Sequence, residues 1–213
     1  NLLIFSRRSQ RSNPVSIYFL SGTIANLVAL YFGMLFRYLQ DLFSITIVND
    51  NTAVCRIRSF LLYLSLSLSN WFILLATIDR YLISSRENNR RQLSSIKNAL
   101  RMIIATTILG ILSYVHILIL YTIQTIPISP TRIQNFCYPL LGPYRLFNDI
   151  QILVQFSLLP PLLMCLFVIF IIRNIRHSHA RLANVVIAEH QARLKKRDLQ
   201  LSKMLVLQVI ITI

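Results

Sequence analysis

The chain has 213 residues, of which 55% are apolar and only 14% charged, and its mean hydropathy is +0.59. An ordinary soluble domain carries roughly a quarter charged residues, so this chain has too few charges to cover a water-facing globule. Its 22 basic and 7 acidic residues, a net charge of +15, suit either nucleic acid or an anionic membrane surface, and their placement decides between the two.

In chain order, Asn1-Leu2-Leu3-Ile4 precedes a short basic segment and is expected to be the last turns of one membrane helix. Four stretches follow, residues 17–36, 59–78, 102–121 and 150–172, and none contains Lys, Arg, Asp or Glu. A hydrocarbon core about 30 Å thick takes roughly 20 apolar residues of helix to cross, so each stretch predicts a span. With their flanks the helices are expected at about 14–38, 56–84, 98–123 and 147–176. A last one, 198–213, closes the chain on an apolar run that is still continuing. The expected fold is all-α: one polytopic transmembrane helix bundle over residues 1–213, incomplete at both ends.

If the spans alternate sides, the connections fall into two sets. One holds 17 of the basic residues, among them Arg7, Arg80, Arg90, Arg101, Arg173 and Lys196. The other holds five, Arg37, Arg56, Arg58, Arg132 and Arg145. The positive-inside rule makes the first set cytoplasmic. The cations border helix ends in three separate loops instead of forming one basic face interleaved with aromatics, which argues against nucleic acid. Anchoring helix ends and contacting anionic lipid accounts for most of them.

Asp79-Arg80-Tyr81 stands at the cytoplasmic end of the second uncharged stretch. Cys55 begins the same helix outside, 25 residues before Arg80, and Cys137 lies in a later extracellular loop. This arrangement resembles the rhodopsin-like G-protein-coupled receptors, in which a cysteine at that spacing pairs with one in the second extracellular loop and Asp-Arg-Tyr ends the third helix. The resemblance runs from the end of helix one, with Asn1, to the middle of helix six, where Lys203-Met204-Leu205 matches the entry. Pro160-Pro161 falls where the family's fifth helix has one proline. Departures are also visible: Asn26 stands for the usual helix-two aspartate, Gly110 for the helix-four tryptophan, and Val168 or Ile169 for the helix-five tyrosine. A neutral Asn26 weakens any sodium site that Ser69 could line, so no metal is expected.

The resemblance implies a Cys55–Cys137 disulfide, which persists in an oxidising compartment; closing a loop of that length would contribute roughly 4–5 kcal/mol from chain entropy. It also implies a switch in which Asp79, with Asp198 on helix six, holds Arg80 at rest, because an arginine near hydrocarbon needs partners. An alternative for Asp198 is that it offsets Lys195, Lys196 and Arg197 on a solvated helix. Pro160 and Pro161 remove backbone donors within a span, and the result is either a bulge facing the ligand or a simple kink. Asn26, Ser69 and Asn70 are polar at membrane depth and read as inward-facing contacts between helices, together with Asn1.

Leu62, Tyr63, Leu66 and Asn70 are the candidate ligand-facing residues of helix three, with packing in the core as the equal alternative. Leu62, seven residues after Cys55, takes the place of the aspartate that pairs with amine ligands in aminergic relatives, so a small amine is disfavoured; the resemblance leans towards a peptide or another uncharged or bulky ligand, and leaves an opsin open. His116 reads as packed or hydrogen-bonded, and Cys165 as packing within helix five. His177, His179 and His190 lie in a cytoplasmic loop without the cysteine or carboxylate partners of a zinc site. No nucleotide loop, metalloprotease motif or nucleophile elbow is present and no cofactor is expected. The sequence thus points to a receptor of the plasma membrane and not to an enzyme, with an extracellular ligand, a heterotrimeric G protein and membrane lipid as partners. The alternative is a transporter or channel-like bundle, which predicts inverted repeats and charged residues lining a path.

Overall fold

The computed structural model describes residues 13–36, 51–85, 87–129 and 132–182, with isolated positions at 38, 42, 200, 202–204 and 208. Asn1, Asp198, His190 and most of the expected helix at 198–213 lie outside the described residues.

Helix α1, Pro14–Leu30, starts where Asn13 Oδ1 accepts the Val15 amide at 3.1 Å. Pro14 at the first helical position has no amide to leave unpaired. Its end widens into a π-helical turn, Tyr31–Leu35. Helix α2, Thr52–Ser84, is 33 residues long, and Asn51 Oδ1 caps it by accepting the amides of Ala53 and Val54. That cap starts the helix four residues earlier than the expected start at residue 56. A short exposed helix α3, Asn88–Leu93, leads to α4, Ile96–Tyr114, whose cap is Ser95, and to a further turn α5, Ile117–Leu120.

The chain then leaves the helix abruptly. Strands β1, Tyr121–Ser129, and β2, Arg132–Pro139, pair antiparallel with Tyr121 opposite Pro139 and Ile123 opposite Cys137. Leu140 N–H donates to Leu120 O at 3.0 Å and closes the base of this hairpin. Extending the fourth helix to residue 123 is therefore too long: from Tyr121 the β-branched residues Thr122, Ile123 and Thr125 enter a ladder, which suits them better than a helix. Gly142, at φ 113°, turns the chain into α6, Pro143–Ile152. A second π-helical turn, Leu153–Leu158, joins α6 to α7, Leu159–Leu182.

Four helical segments, Pro14–Leu35, Thr52–Ser84, Ile96–Leu120 and Pro143–Arg176, are long and apolar enough to cross a membrane. Helix α2 is central, with 67% of its apolar window buried against 11% for each of the last two. One cluster joins Val15, Tyr18 and Ala25 of α1 to Phe72, Leu75 and Ala76 of α2 and Ala99 of α4. Glycines let backbones close: a Cβ on Gly22 would lie 3.7 Å from Ser69 O. A Cβ on Gly110 would meet Leu64 and Leu68 side chains at 3.1 and 3.2 Å, so leucines of α2 occupy the space beside this position. The outer faces are apolar, with Leu109 and Leu112 each 64% exposed. Such a surface suits hydrocarbon, not water.

Candidate functional site

The centre of α2 would be costly in hydrocarbon if its polar groups stood unpaired. Hydroxyls avoid this by bonding back one turn, as Ser65 does to Leu61 O at 2.6 Å and Thr77 to Ile73 O at 3.0 Å. Function is to be sought where side chains of α2 reach other elements, at its two ends and at one point midway.

At the extracellular end Cys55 is fully buried and disulfide-bonded to Cys137 of β2, across a sequence separation of 82. Ser59 Oγ lies 3.4 Å from Cys137 Sγ. Arg56 Nε donates to Tyr121 O at 2.8 Å, so α2 holds both strands of the hairpin. Tyr121 is buried, packs its ring against Tyr63, and accepts Asn148 Nδ2 at 3.3 Å. Burial pushes its hydroxyl far above the ordinary tyrosine range and keeps it neutral.

Arg58 turns towards α1. Its Nε donates to Phe32 O at 2.9 Å and its Nη2 to Gly33 O at 3.3 Å, while the guanidinium lies 5.9 Å from the Phe36 ring centre. These carbonyls belong to the first wide turn, where the Phe36 amide has moved one residue back, to Tyr31 O, and no longer serves Phe32. Midway along α2, Asn70 Nδ2 donates to Phe156 O at 3.2 Å, within the second wide turn.

At the cytoplasmic end Asp79 is only 4% exposed. Its electrostatic neighbours are Arg80, Ser94 and Tyr18 of α1. The carboxylate Oδ2 has no hydrogen-bond partner among the described residues. Tyr81 sits 5.6 and 5.9 Å from the rings of Phe167 and Phe170 on α7, and its hydroxyl accepts Arg90 Nη1 at 3.1 Å. Arg90 is itself paired with Glu87 at 2.6 Å. Asn174 Nδ2 reaches Ser84 Oγ at 3.4 Å, a further tie from α7 to the end of α2. Tyr81 thus touches α7.

The candidate ligand-facing residues divide. Tyr63 packs on Tyr121, Asn70 holds Phe156 O, and Leu62 lies against Gly33 of the first wide turn. Leu66 is half-buried. Ser69 is buried, as an inter-helix residue should be. Asn26 is not: it stands exposed on α1. Cys165 is also exposed, so it faces outward from α7 and does not pack in the interior. Pro160 is fully buried, within one turn of the second wide turn.

His116 is hydrogen-bonded, with partners the sequence did not reveal. Its Nδ1 lies 2.8 Å from Tyr144 Oη and its Nε2 2.7 Å from Gln151 Oε1. Gln151 Nε2 donates to Ser113 O at 2.7 Å, which fixes the amide, so His116 Nε2 is the donor and Nδ1 accepts from Tyr144. The spacing of Tyr144 and Gln151, seven apart on one helical face, was the available signal. This chain ties α4 to α6 beside an outward-facing groove of about 540 Å³. Among the described residues no group of three His, Cys, Asp or Glu side chains could hold a metal ion.

The model of the family described as 7 transmembrane receptor (rhodopsin family) matches residues 2–213. Comparison with curated proteins finds none that matches.

Proposed function

Because the chain belongs to the rhodopsin family of seven-transmembrane receptors, multi-pass proteins of the plasma membrane, we propose that it passes the signal of an extracellular peptide to a heterotrimeric G protein. The observation that carries this reading is the construction of α2. One continuous helix is tied at one end to the hairpin by Cys55 and Arg56 and carries Asp79, Arg80 and Tyr81 at the other, the end that the distribution of basic residues assigns to the cytoplasm.

A peptide is supported by the hairpin itself. Each strand of a two-stranded sheet has one unpaired edge, and an extended peptide binds by adding main-chain hydrogen bonds there. Leu62 in place of a carboxylate removes the charge partner a small amine needs. On the cytoplasmic side, Tyr81 against Phe167 and Phe170 makes α7 sensitive to any shift of α2. Movement of helix six away from Arg80, released from Asp79 and Asp198, then opens a surface for the G protein. Such a switch needs two packings a few kcal/mol apart, biased by ligand.

The test uses the full receptor in cells, a panel of peptides and a G-protein dissociation readout. Arg80→Ala is expected to lower the peptide response roughly tenfold or more, equivalent to about 1.4 kcal/mol of coupling, at unchanged surface level. Asp198→Asn is expected to raise signalling without ligand. An intact response in Arg80→Ala would overturn the reading, and unchanged basal signalling in Asp198→Asn would remove the latch.

A further inference from the structure

A carbonyl inside a helix receives the amide four residues on, or five residues on where the helix widens. For Phe156 these are residues 160 and 161, and both are proline. Neither can donate. Phe156 O lies in the π-helical turn Leu153–Leu158, where the Leu159 amide has been drawn back to Val154 O. No backbone donor in its own helix is in position to serve it, and within a bilayer a carbonyl freed in this way takes its partner from a neighbouring helix, a side chain or an ordered water.

Among the described residues the donor to this oxygen comes from another helix: Asn70 Nδ2, at 3.2 Å, from a buried position midway along α2. Nothing in the family resemblance calls for an amide here; it follows from the double proline. We infer that Asn70 is the positioning residue of the fifth membrane helix, standing in for the amides that Pro160 and Pro161 lack and fixing the register of the Leu153–Leu158 turn against α2. The three residues act as one unit, and Asn70 matters because the prolines are there. The signalling consequence rests on the proposed function: with the turn unfixed, α7 loses the register that sets Phe167 and Phe170 against Tyr81.

The unit is tested by a double-mutant cycle on the full receptor in detergent, read first as thermal stability, which needs no ligand and no G protein. Asn70→Leu keeps the size and removes the donor, and is expected to lower Tm by about 3–8 °C. Pro160→Ala returns an amide to Phe156 O, and in that background Asn70→Leu should cost less than half as much. Pro161→Ala supplies the alternative amide and serves as the second background. Equal losses in all three backgrounds would overturn the inference, as would a wild-type Tm in Asn70→Leu. If Asn70→Leu does not accumulate in folded form, the Pro160→Ala double variant is expected to fold where the single one does not; its failure counts against the unit. Basal nucleotide exchange is read in parallel, with Asn70→Leu altering it and Pro160→Ala restoring it. A positive stability cycle with no exchange activity in any variant would count against the proposed function and leave the Asn70 unit standing.

Discussion

Two membrane helices of this receptor widen into π-helical turns, Tyr31–Leu35 near the extracellular surface and Leu153–Leu158 deeper in the bundle. Both have carbonyls that receive donors from side chains of α2, yet the donors differ in chemistry. Arg58, six residues into α2, serves Phe32 and Gly33; Asn70, midway along it, serves Phe156. Near the headgroups a guanidinium keeps its charge close to water while its fork spans two carbonyls and rests on Phe36. At mid-depth a charge costs roughly 2.5–3.5 kcal/mol even by the mildest scale, and a neutral amide does the same work. Depth selects the donor.

Exchanging the chemistries breaks the comparison most severely. Asn70→Arg places a charge where only the amide fits, and a loss of about 3 kcal/mol or more is expected, read as collapse of surface expression and of Tm in detergent. The reverse change, Arg58→Asn, shortens the donor so that it cannot span both carbonyls. Because lipid headgroups and water lie close by, a loss of only about 1 kcal/mol is expected, measured as a small Tm shift. If Arg58→Asn proved as damaging as Asn70→Arg, depth would not be the governing variable. Gly33→Ala sharpens the picture at the smallest scale. The new Cβ would stand 3.0 Å from Leu62 Cδ1, the free end of a flexible side chain, while alanine favours helix by roughly 0.5–1 kcal/mol. The two nearly cancel, and a Tm within about 2 °C of wild type is expected.

The spans were plain in the sequence because runs of twenty residues without a charge have few other uses. The Cys55–Cys137 bridge was implied by resemblance and is present in the structure. The clamps on the wide turns were not legible, although every participant was visible. Arg58 counted among extracellular cations, and Asn70 among polar residues of unspecified partner. What sequence lacks is the rotation of α2 about its axis, which decides whether a side chain 26 or 86 residues away in sequence meets a displaced carbonyl. The hairpin was missed for another reason: its first strand begins at Tyr121, the last residue of the predicted 102–121 span, and apolar β-branched residues continue a helix and start a strand equally well. Asn26 was expected inside because polar groups avoid lipid, yet it is exposed on α1. For His116 the general expectation held and the partners Tyr144 and Gln151 were invisible, since they sit across a chain reversal.

A helix of 33 residues measures about 50 Å, against a hydrocarbon thickness of about 30 Å. Helix α2 therefore either leans steeply or protrudes into solvent at both faces. In each case it behaves as a stiff rod pivoting within the bilayer, with the hairpin as its handle and Tyr81 near its tip. A tilt of a few degrees about the middle sweeps the two ends in opposite directions by an ångström or more, and no chain of intermediate contacts is required to carry the displacement across.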